Sequence, residues 1–157
     1  MAQIKEYQGQ VEAKCGADKV FDIWTRNAPK VSNMCPGKFP KIELVQGDCY
    51  HTPGAIVSWT YATPVDGKHE STKTKLEGID EKKRSFSYKV IEGDAMNKYY
   101  NTCKVTVQII PKGENCSIVK YRVECEKKSE DAPDPNMYVE FFIGCIEETY
   151  CRLYSSA

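Results

Sequence analysis

Apolar and polar residues alternate along most of the chain, and this alternation predicts β-strands that bury one face. In residues 84–91, for example, Phe86, Tyr88 and Val90 share one face and polar residues occupy the other. A period of two is the repeat of a strand with one side toward a core. With turn residues as boundaries, the pattern predicts seven strands, at 7–15, 42–45, 55–63, 70–79, 84–91, 101–109 and 117–125.

Helical spacing appears in three segments. Residues 17–24 bring Val20, Phe21 and Trp24 onto one helical face, and Pro29 begins a second short helix that the Pro36-Gly37 pair ends. A long final helix is expected from Pro135 to about residue 154, with Asp134 as its N-cap. Its apolar stripe consists of Tyr138, Phe141, Phe142, Cys145, Thr149 and Leu153.

This order of elements predicts an α+β fold in one domain over residues 1–157. One strand is followed by two short helices, six further strands and the long helix, with no linker or repeat between them. The economical arrangement is a single curved antiparallel sheet that grips the final helix.

Such an arrangement leaves space between sheet and helix. One helix is about 10–12 Å across and does not fill a deeply curved sheet over its whole width, so we predict an apolar cavity with a few hydroxyl groups. Periodicity alone slightly favours the alternative, in which the same residues form a tightly packed core. The inward residues in question are Phe86, Tyr88, Val105, Val107, Val119, Tyr121, Tyr138 and Phe142.

Composition narrows the class of protein. The 157 residues carry 22 basic and 22 acidic side chains, for a net charge of zero, and 41% of them are hydrophobic. That hydrophobic fraction supports a core and excludes a mainly disordered chain. Balanced charge excludes a dedicated binder of nucleic acid or of an anionic membrane, because both need a basic excess.

The cysteines and histidines do not form a metal-binding pattern. The eight cysteines include no Cys-x-x-Cys pair, and His51 and His69 are not spaced as a ligand pair, so we expect no metal. The N-terminus has no signal-peptide pattern, which predicts a cytoplasmic protein with reduced thiols. Most of the cysteines should be small core residues.

Three short motifs in the predicted order resemble the major latex proteins. They are Gly-Ile-Asp at 78–80, Ile-Glu-Gly-Asp at 91–94, and the segment 126–135, which reads Glu-Lys-Lys-Ser-Glu-Asp-Ala-Pro-Asp-Pro. The major latex proteins are a branch of the plant superfamily of the birch-pollen allergen and the class-ten pathogenesis-related, defence-associated proteins. The similarity extends over essentially the whole chain.

The resemblance implies a helix-grip fold with an internal hydrophobic cavity. It also implies binding of amphiphilic plant metabolites, such as sterols, flavonoids, cytokinins or alkaloids. Several members of the superfamily are isomerases, cyclases or condensing enzymes of specialised metabolism. This chain departs from the allergen branch at 47–54, where glycine remains only at the two ends of the loop, so phosphate binding there is not favoured.

Three residues are candidates for catalysis: His51, Tyr88 and Tyr121. His51 is a possible general acid or base, in a loop that by the resemblance borders the cavity entrance; a solvated loop histidine is the commoner case. Strand alternation directs Tyr88 and Tyr121 inward, where a phenol can stabilise an oxyanion or simply orient a ligand. The candidate ligand-binding residues are Trp24, Phe86, Tyr88, Val90, Cys103, Val105, Val107, Val119, Tyr121, Tyr138, Phe141, Phe142 and Cys145.

The fourth predicted strand argues against strong proton-transfer chemistry. Glu70 and Lys75 are an odd number of positions apart, so they face opposite sides of the strand and, unless a bulge intervenes, form no acid–base pair in the cavity. The inward thiols of Cys103, Cys125 and Cys145 have no evident base beside them and should be inert.

The sequence therefore predicts a protein that binds a small hydrophobic or amphiphilic metabolite. The alternative is an isomerase or cyclase that uses the same cavity to impose shape on a reactive substrate. Either version needs no metal or nucleotide cofactor, no nucleic acid and no membrane, and is expected to be a monomer or a weak homodimer.

Overall fold

A seven-stranded antiparallel sheet forms the body of the computed structural model, which describes residues 4–63 and 66–147. The strands lie side by side in the order β1-β7-β6-β5-β4-β3-β2. The elements in chain order are β1 (Ile4–Ala13), α1 (Ala17–Trp24), α2 (Pro29–Met34), β2 (Lys41–Gln46), β3 (Ile56–Ala62), β4 (His69–Asp80), β5 (Ser85–Gly93), α3 (Asp94–Tyr99), β6 (Tyr100–Pro111), β7 (Ser117–Lys127) and α4 (Asn136–Cys145). The predicted α+β helix-grip architecture is confirmed.

Irregular pairing occurs in several ladders of the sheet. The β4–β5 ladder shifts register twice, between Lys73 and Thr74 and again between Leu76 and Gly78. The β2–β3 ladder shifts once, between Leu44 and Gln46. Extra residues at such bulges bend a strand and increase its twist. They therefore favour a curved sheet with a concave face.

Aromatic side chains attach α4 to this concave face. The ring of Phe142 lies edge-on to Trp24 of α1, at a centroid distance of 4.6 Å, and to Trp59 of β3, at 5.6 Å. One helix turn earlier, Tyr138 meets Tyr61 of β3 at 6.0 Å. The aromatic stripe predicted from helical spacing is thus the surface that α4 turns toward the sheet.

The solid core lies toward the end of the sheet that α1 covers. Val107 of β6 and Val119 of β7 are completely buried, as are Val20 and Ile23 of α1. Side chains that small and that fully enclosed leave little free space between α1 and the sheet. Any internal void must therefore lie farther along the strands.

Local details differ from the sequence-based expectations. The short helix α3 was not predicted, because six residues are too few to show a helical period. The predicted N-cap of the final helix is wrong: α4 begins at Asn136 after Pro135, and Asp134 instead accepts a bond from Lys127 Nζ at 2.6 Å. The predicted extension of this helix, with Thr149 and Leu153, lies outside the described residues.

The cysteines are reduced except at one described position. Cys35, Cys49, Cys103, Cys116, Cys125 and Cys145 carry reduced thiols. Cys15 is disulfide-bonded, so the expectation of a reduced thiol is wrong at this position. The expectation was based on the predicted cytoplasmic location, which gives no information about the distances between cysteines. None of the helices in residues 4–63 and 66–147 is long and apolar enough to cross a membrane.

Candidate functional site

A cavity of about 150 Å³ lies between the concave face of the sheet and α4. Strands β3, β4, β5 and β6 provide its floor, and α4 covers it. Trp24 of α1 closes one side, and Ala95 and Met96 of α3 border another. The wall is mainly aromatic and aliphatic, so the described residues enclose an apolar space.

Nine of the predicted ligand-binding residues line this cavity. Those on β5 and β6 reach it because inward positions alternate with outward ones, and those on α4 lie along the apolar stripe. The nine are Trp24, Phe86, Tyr88, Val90, Cys103, Val105, Tyr138, Phe141 and Phe142.

Three apolar candidates face inward but do not border the cavity. Val107 and Val119 are 0% exposed and Cys145 is 1% exposed. Val107 lies directly opposite Phe86 and follows Val105 on the same face of β6. It is nevertheless completely buried in the packed core, whereas Phe86 beside it borders the cavity. The prediction that these residues line the cavity is wrong, since inward alternation does not distinguish a packed position from one beside a void.

Tyr121 is also not one of the residues that line the cavity. Its hydroxyl donates a hydrogen bond to Glu140 Oε1 of α4 at 2.8 Å. The phenol lies over Gly9, its partner on β1, where an added methyl group would be only 2.4 Å from the Tyr121 oxygen. The absence of a side chain at Gly9 therefore lets Tyr121 reach across β1 and tie α4 to the sheet. The prediction that Tyr121 lines the cavity is wrong.

The polar groups of the cavity wall differ in whether a described residue pairs with them. Trp59 Nε1 donates to Thr74 Oγ1 at 3.0 Å, and Tyr100 Oη donates to the Pro133 carbonyl at 2.6 Å. In contrast, Trp24 Nε1 is buried and no described residue accepts a hydrogen bond from it, whereas the Tyr138 hydroxyl has Thr63 as a neighbour. Buried polar groups are rarely left unpaired, so the wall offers a donor that a guest molecule could use.

The phenols and the thiol of the wall remain protonated at neutral pH. Burial, and to a smaller degree the neighbouring Cys103, raises the pKa of Tyr88 well above its usual range. Burial raises the pKa of Tyr61 and Tyr100 in the same way. Burial, followed by the nearby Cys125, raises the pKa of Cys103 to about 12. Tyr88 is thus a hydrogen-bond donor rather than a base, and Cys103 is a weak nucleophile.

His51 lies in the loop between β2 and β3, beside the cavity rather than in its wall. The neighbouring Tyr50 reaches the wall, whereas His51 is half-buried and its Nδ1 has no partner. The closest reactive group is Cys49, whose Sγ is 3.9 Å from His51 Nε2 and 2.6 Å from Thr52 Oγ1. The Cys49 thiol therefore lies closer to the Thr52 hydroxyl than to the His51 imidazole.

The structure shows an acid–base pair that the sequence did not predict. Glu70, at the start of β4, is 6% exposed, and its Oε2 accepts a bond from Lys98 Nζ of α3 at 2.5 Å. Lys75 is exposed on the opposite face, as expected. Neither Glu70 nor Lys98 is among the cavity-wall residues, and their pairing escaped prediction because Lys98 belongs to the helix that periodicity missed.

Other wall residues were also missed. Val57, Trp59 and Tyr61 alternate along β3 and all line the cavity, and that period-two pattern was a usable signal. Phe39 lines it from a loop between α2 and β2, where no periodic signal exists. Among residues 4–63 and 66–147, no group of three or more acidic, histidine or cysteine side chains is arranged to hold a metal ion.

Comparison with known proteins identifies relatives across the whole length. The profile of the pathogenesis-related protein Bet v 1 family matches residues 2–155. MLP-like protein 43 of Arabidopsis thaliana is 36% identical over 145 residues, which cover 92% of this chain and 87% of that protein. MLP-like protein 34 of the same plant is 33% identical over 140 residues, but the match spans only 43% of that longer protein.

Solved structures show the same architecture. Ginseng major latex-like protein 151 from Panax ginseng has a TM-score of 0.76 at 25% identity, and the match covers 90% of this chain and 92% of that one. Norcoclaurine synthase from Thalictrum flavum has a TM-score of 0.72 at 18% identity, with 99% and 98% covered. At that identity, the second likeness shows the fold alone.

Proposed function

The chain belongs to the pathogenesis-related protein Bet v 1 family, and from this premise we propose that it binds a small hydrophobic or amphiphilic metabolite in the cavity under α4. The observation that carries the proposal is an apolar space whose wall contains a buried donor, Trp24 Nε1, to which no described residue offers an acceptor. A guest that fills the space and accepts that hydrogen bond would satisfy both features.

The size of the cavity limits the guest. Its volume is about 150 Å³, and apolar cavities of about that volume admit a molecule of the size of benzene. A single aromatic ring therefore fits without rearrangement. A four-ring sterol requires the wall side chains, or α3 and the loop at Tyr50, to move outward. We accordingly place single-ring aromatic metabolites first among the candidate ligands.

Tryptophan fluorescence provides a direct test, because both tryptophans, Trp24 and Trp59, line the cavity. We expect saturable changes in emission when a single-ring guest such as 2-phenylethyl methyl ether is added. Val105→Phe replaces an isopropyl group in the cavity wall by a benzyl group and should weaken binding by about tenfold or more. Val45→Phe makes the same change at a position that is 52% exposed and serves as the control.

Two results would contradict the proposal. One is an absence of saturable binding for a series of single-ring and two-ring guests by the folded protein. The other is equal binding by wild type and Val105→Phe, since that outcome would place the guest somewhere other than this cavity.

A second candidate function is an isomerase or cyclase that acts in the same cavity. Its support is Tyr88, a wall residue whose neutral phenol makes no hydrogen bond with any described residue and could stabilise a developing oxyanion. The test is product analysis with candidate precursors from the source tissue. Turnover that falls at least about tenfold in Tyr88→Phe, with guest affinity retained, would favour the enzyme over the binder.

We also propose a cytoplasmic location and a monomer or weak homodimer. Six reduced thiols in the described part of the chain support a reducing compartment, whereas the disulfide at Cys15 counts against it. Fractionation of the source tissue and sedimentation of the purified protein test the two points separately.

A further inference from the structure

Glu70 lies next to the cavity wall and has one carboxylate oxygen without a partner. On β4 the inward positions are Glu70, Thr72, Thr74 and Leu76, and the last three line the cavity. Glu70 is also paired across the ladder with Tyr61, another wall residue. Its side chain is therefore the next inward group beyond the cavity wall, at the rim.

The two oxygens of this carboxylate are in different situations. Oε2 accepts a bond from Lys98 Nζ at 2.5 Å, and Lys98 itself is 53% exposed. Oε1 is buried, and none of the residues that the structure describes forms a hydrogen bond with it. An ionised oxygen that is removed from water without a hydrogen bond is costly, so the site is incomplete without a donor at Oε1.

The surroundings of Glu70 favour a donor group over an anion. Asp94, at the start of α3, accepts a bond from the Ser71 N–H at 2.8 Å, so a second carboxylate lies beside the same end of β4. Both Glu70 and Asp94 contribute to the raised pKa of Tyr61, after burial and Tyr138. The one cation that contacts Glu70 among the described residues is Lys98, which already faces Oε2. A negatively charged head group would therefore meet repulsion at this rim.

We propose that Glu70 is the polar subsite of the cavity and accepts a hydrogen bond from the hydroxyl or ammonium head of an amphiphilic ligand. This inference rests on the proposed function, because the apolar part of the same ligand occupies the cavity. Ligands of this class have one aromatic ring that carries a hydrogen-bond donor on a short side chain.

Three ligands with the same phenethyl body separate the possibilities: 2-phenylethanol, 2-phenylethylamine and 2-phenylethyl methyl ether. Wild-type protein should bind the alcohol or the amine about tenfold more tightly than the ether, as expected for a hydrogen bond to a charged acceptor. Glu70→Met, which has similar length and no acceptor, should abolish this preference while leaving the affinity for the ether unchanged.

Two further variants complete the design. Glu70→Gln keeps the shape and one acceptor oxygen, so it should retain part of the preference even if Glu70→Met unfolds. Glu12→Met makes the matched change in the exposed Glu12–Lys112 ion pair at the edge strand, outside the cavity wall, and should leave all three affinities unchanged.

The possible results distinguish this inference from the proposed function. If wild type binds all three ligands equally, or if the preference survives in Glu70→Met, the Glu70 subsite is refuted and the cavity binder stands. Tighter binding of 3-phenylpropanoate than of the alcohol and the amine also refutes the subsite. If not even the ether binds to wild type, the cavity proposal itself fails.

Discussion

Replacing Gly9 by alanine tests the contact that keeps Tyr121 tied to α4. The new methyl carbon would lie 2.4 Å from Tyr121 Oη and 2.6 Å from Cζ. Carbon atoms in contact are normally about 3.5–4.0 Å apart, so the ring must swing away by about 1 Å. That movement breaks the 2.8 Å hydrogen bond to Glu140.

The size of the effect follows from three contributions. Overpacking at a close contact costs about 1–3 kcal/mol. Loss of the hydrogen bond costs about 1 kcal/mol. We use this low value for a bond to a carboxylate because Glu140 is exposed and water can replace the lost partner. Alanine in a strand recovers about 0.5–1 kcal/mol relative to glycine. We therefore expect the free energy of unfolding to fall by about 2 kcal/mol, measured by urea titration of tryptophan fluorescence.

A second background makes this test specific. In Tyr121→Leu, which removes the phenol, Gly9→Ala should become neutral or slightly stabilising, because the propensity gain remains and the clash is gone. The reasoning is refuted if Gly9→Ala is already neutral in the wild-type background, or if it costs the same in both backgrounds.

Two other predictions follow from the same structure. Tyr121→Phe should lower the free energy of unfolding by about 1 kcal/mol and leave the affinity for a cavity guest unchanged, since Tyr121 is not in the cavity wall; weaker guest binding at unchanged stability would contradict this. Burial raises the pKa of Cys103 to about 12, so the thiol stays protonated below that value. We therefore expect its alkylation near pH 7.5, monitored by peptide mass spectrometry, to be about a thousandfold slower than that of an ordinary thiol. Labelling of the native protein as fast as of the urea-unfolded chain would show that this thiol is accessible and ionised.

The strands were the most predictable part of the molecule. On β5, Phe86, Tyr88 and Val90 all line the cavity, as their alternation indicated. This works because the direction of a side chain in a strand depends on neighbours in the sequence alone. The short helix α3 escaped prediction for the opposite reason: its six residues are held partly by Asp94, whose carboxylate accepts a bond from β4.

The sequence by itself determined the order of the seven strands, the α+β class and many of the residues that face inward, because these depend on local periodicity. Only the tertiary structure decided which inward residues border a void. Val105 lines the cavity, and Val107, two residues later on the same face, is completely buried in the packed core. The structure likewise decided that Glu70 meets Lys98 and that Tyr121 crosses Gly9 to reach α4. Each of these contacts joins segments that are distant in the chain, and a repeat of two or 3.6 residues contains no information about such distances.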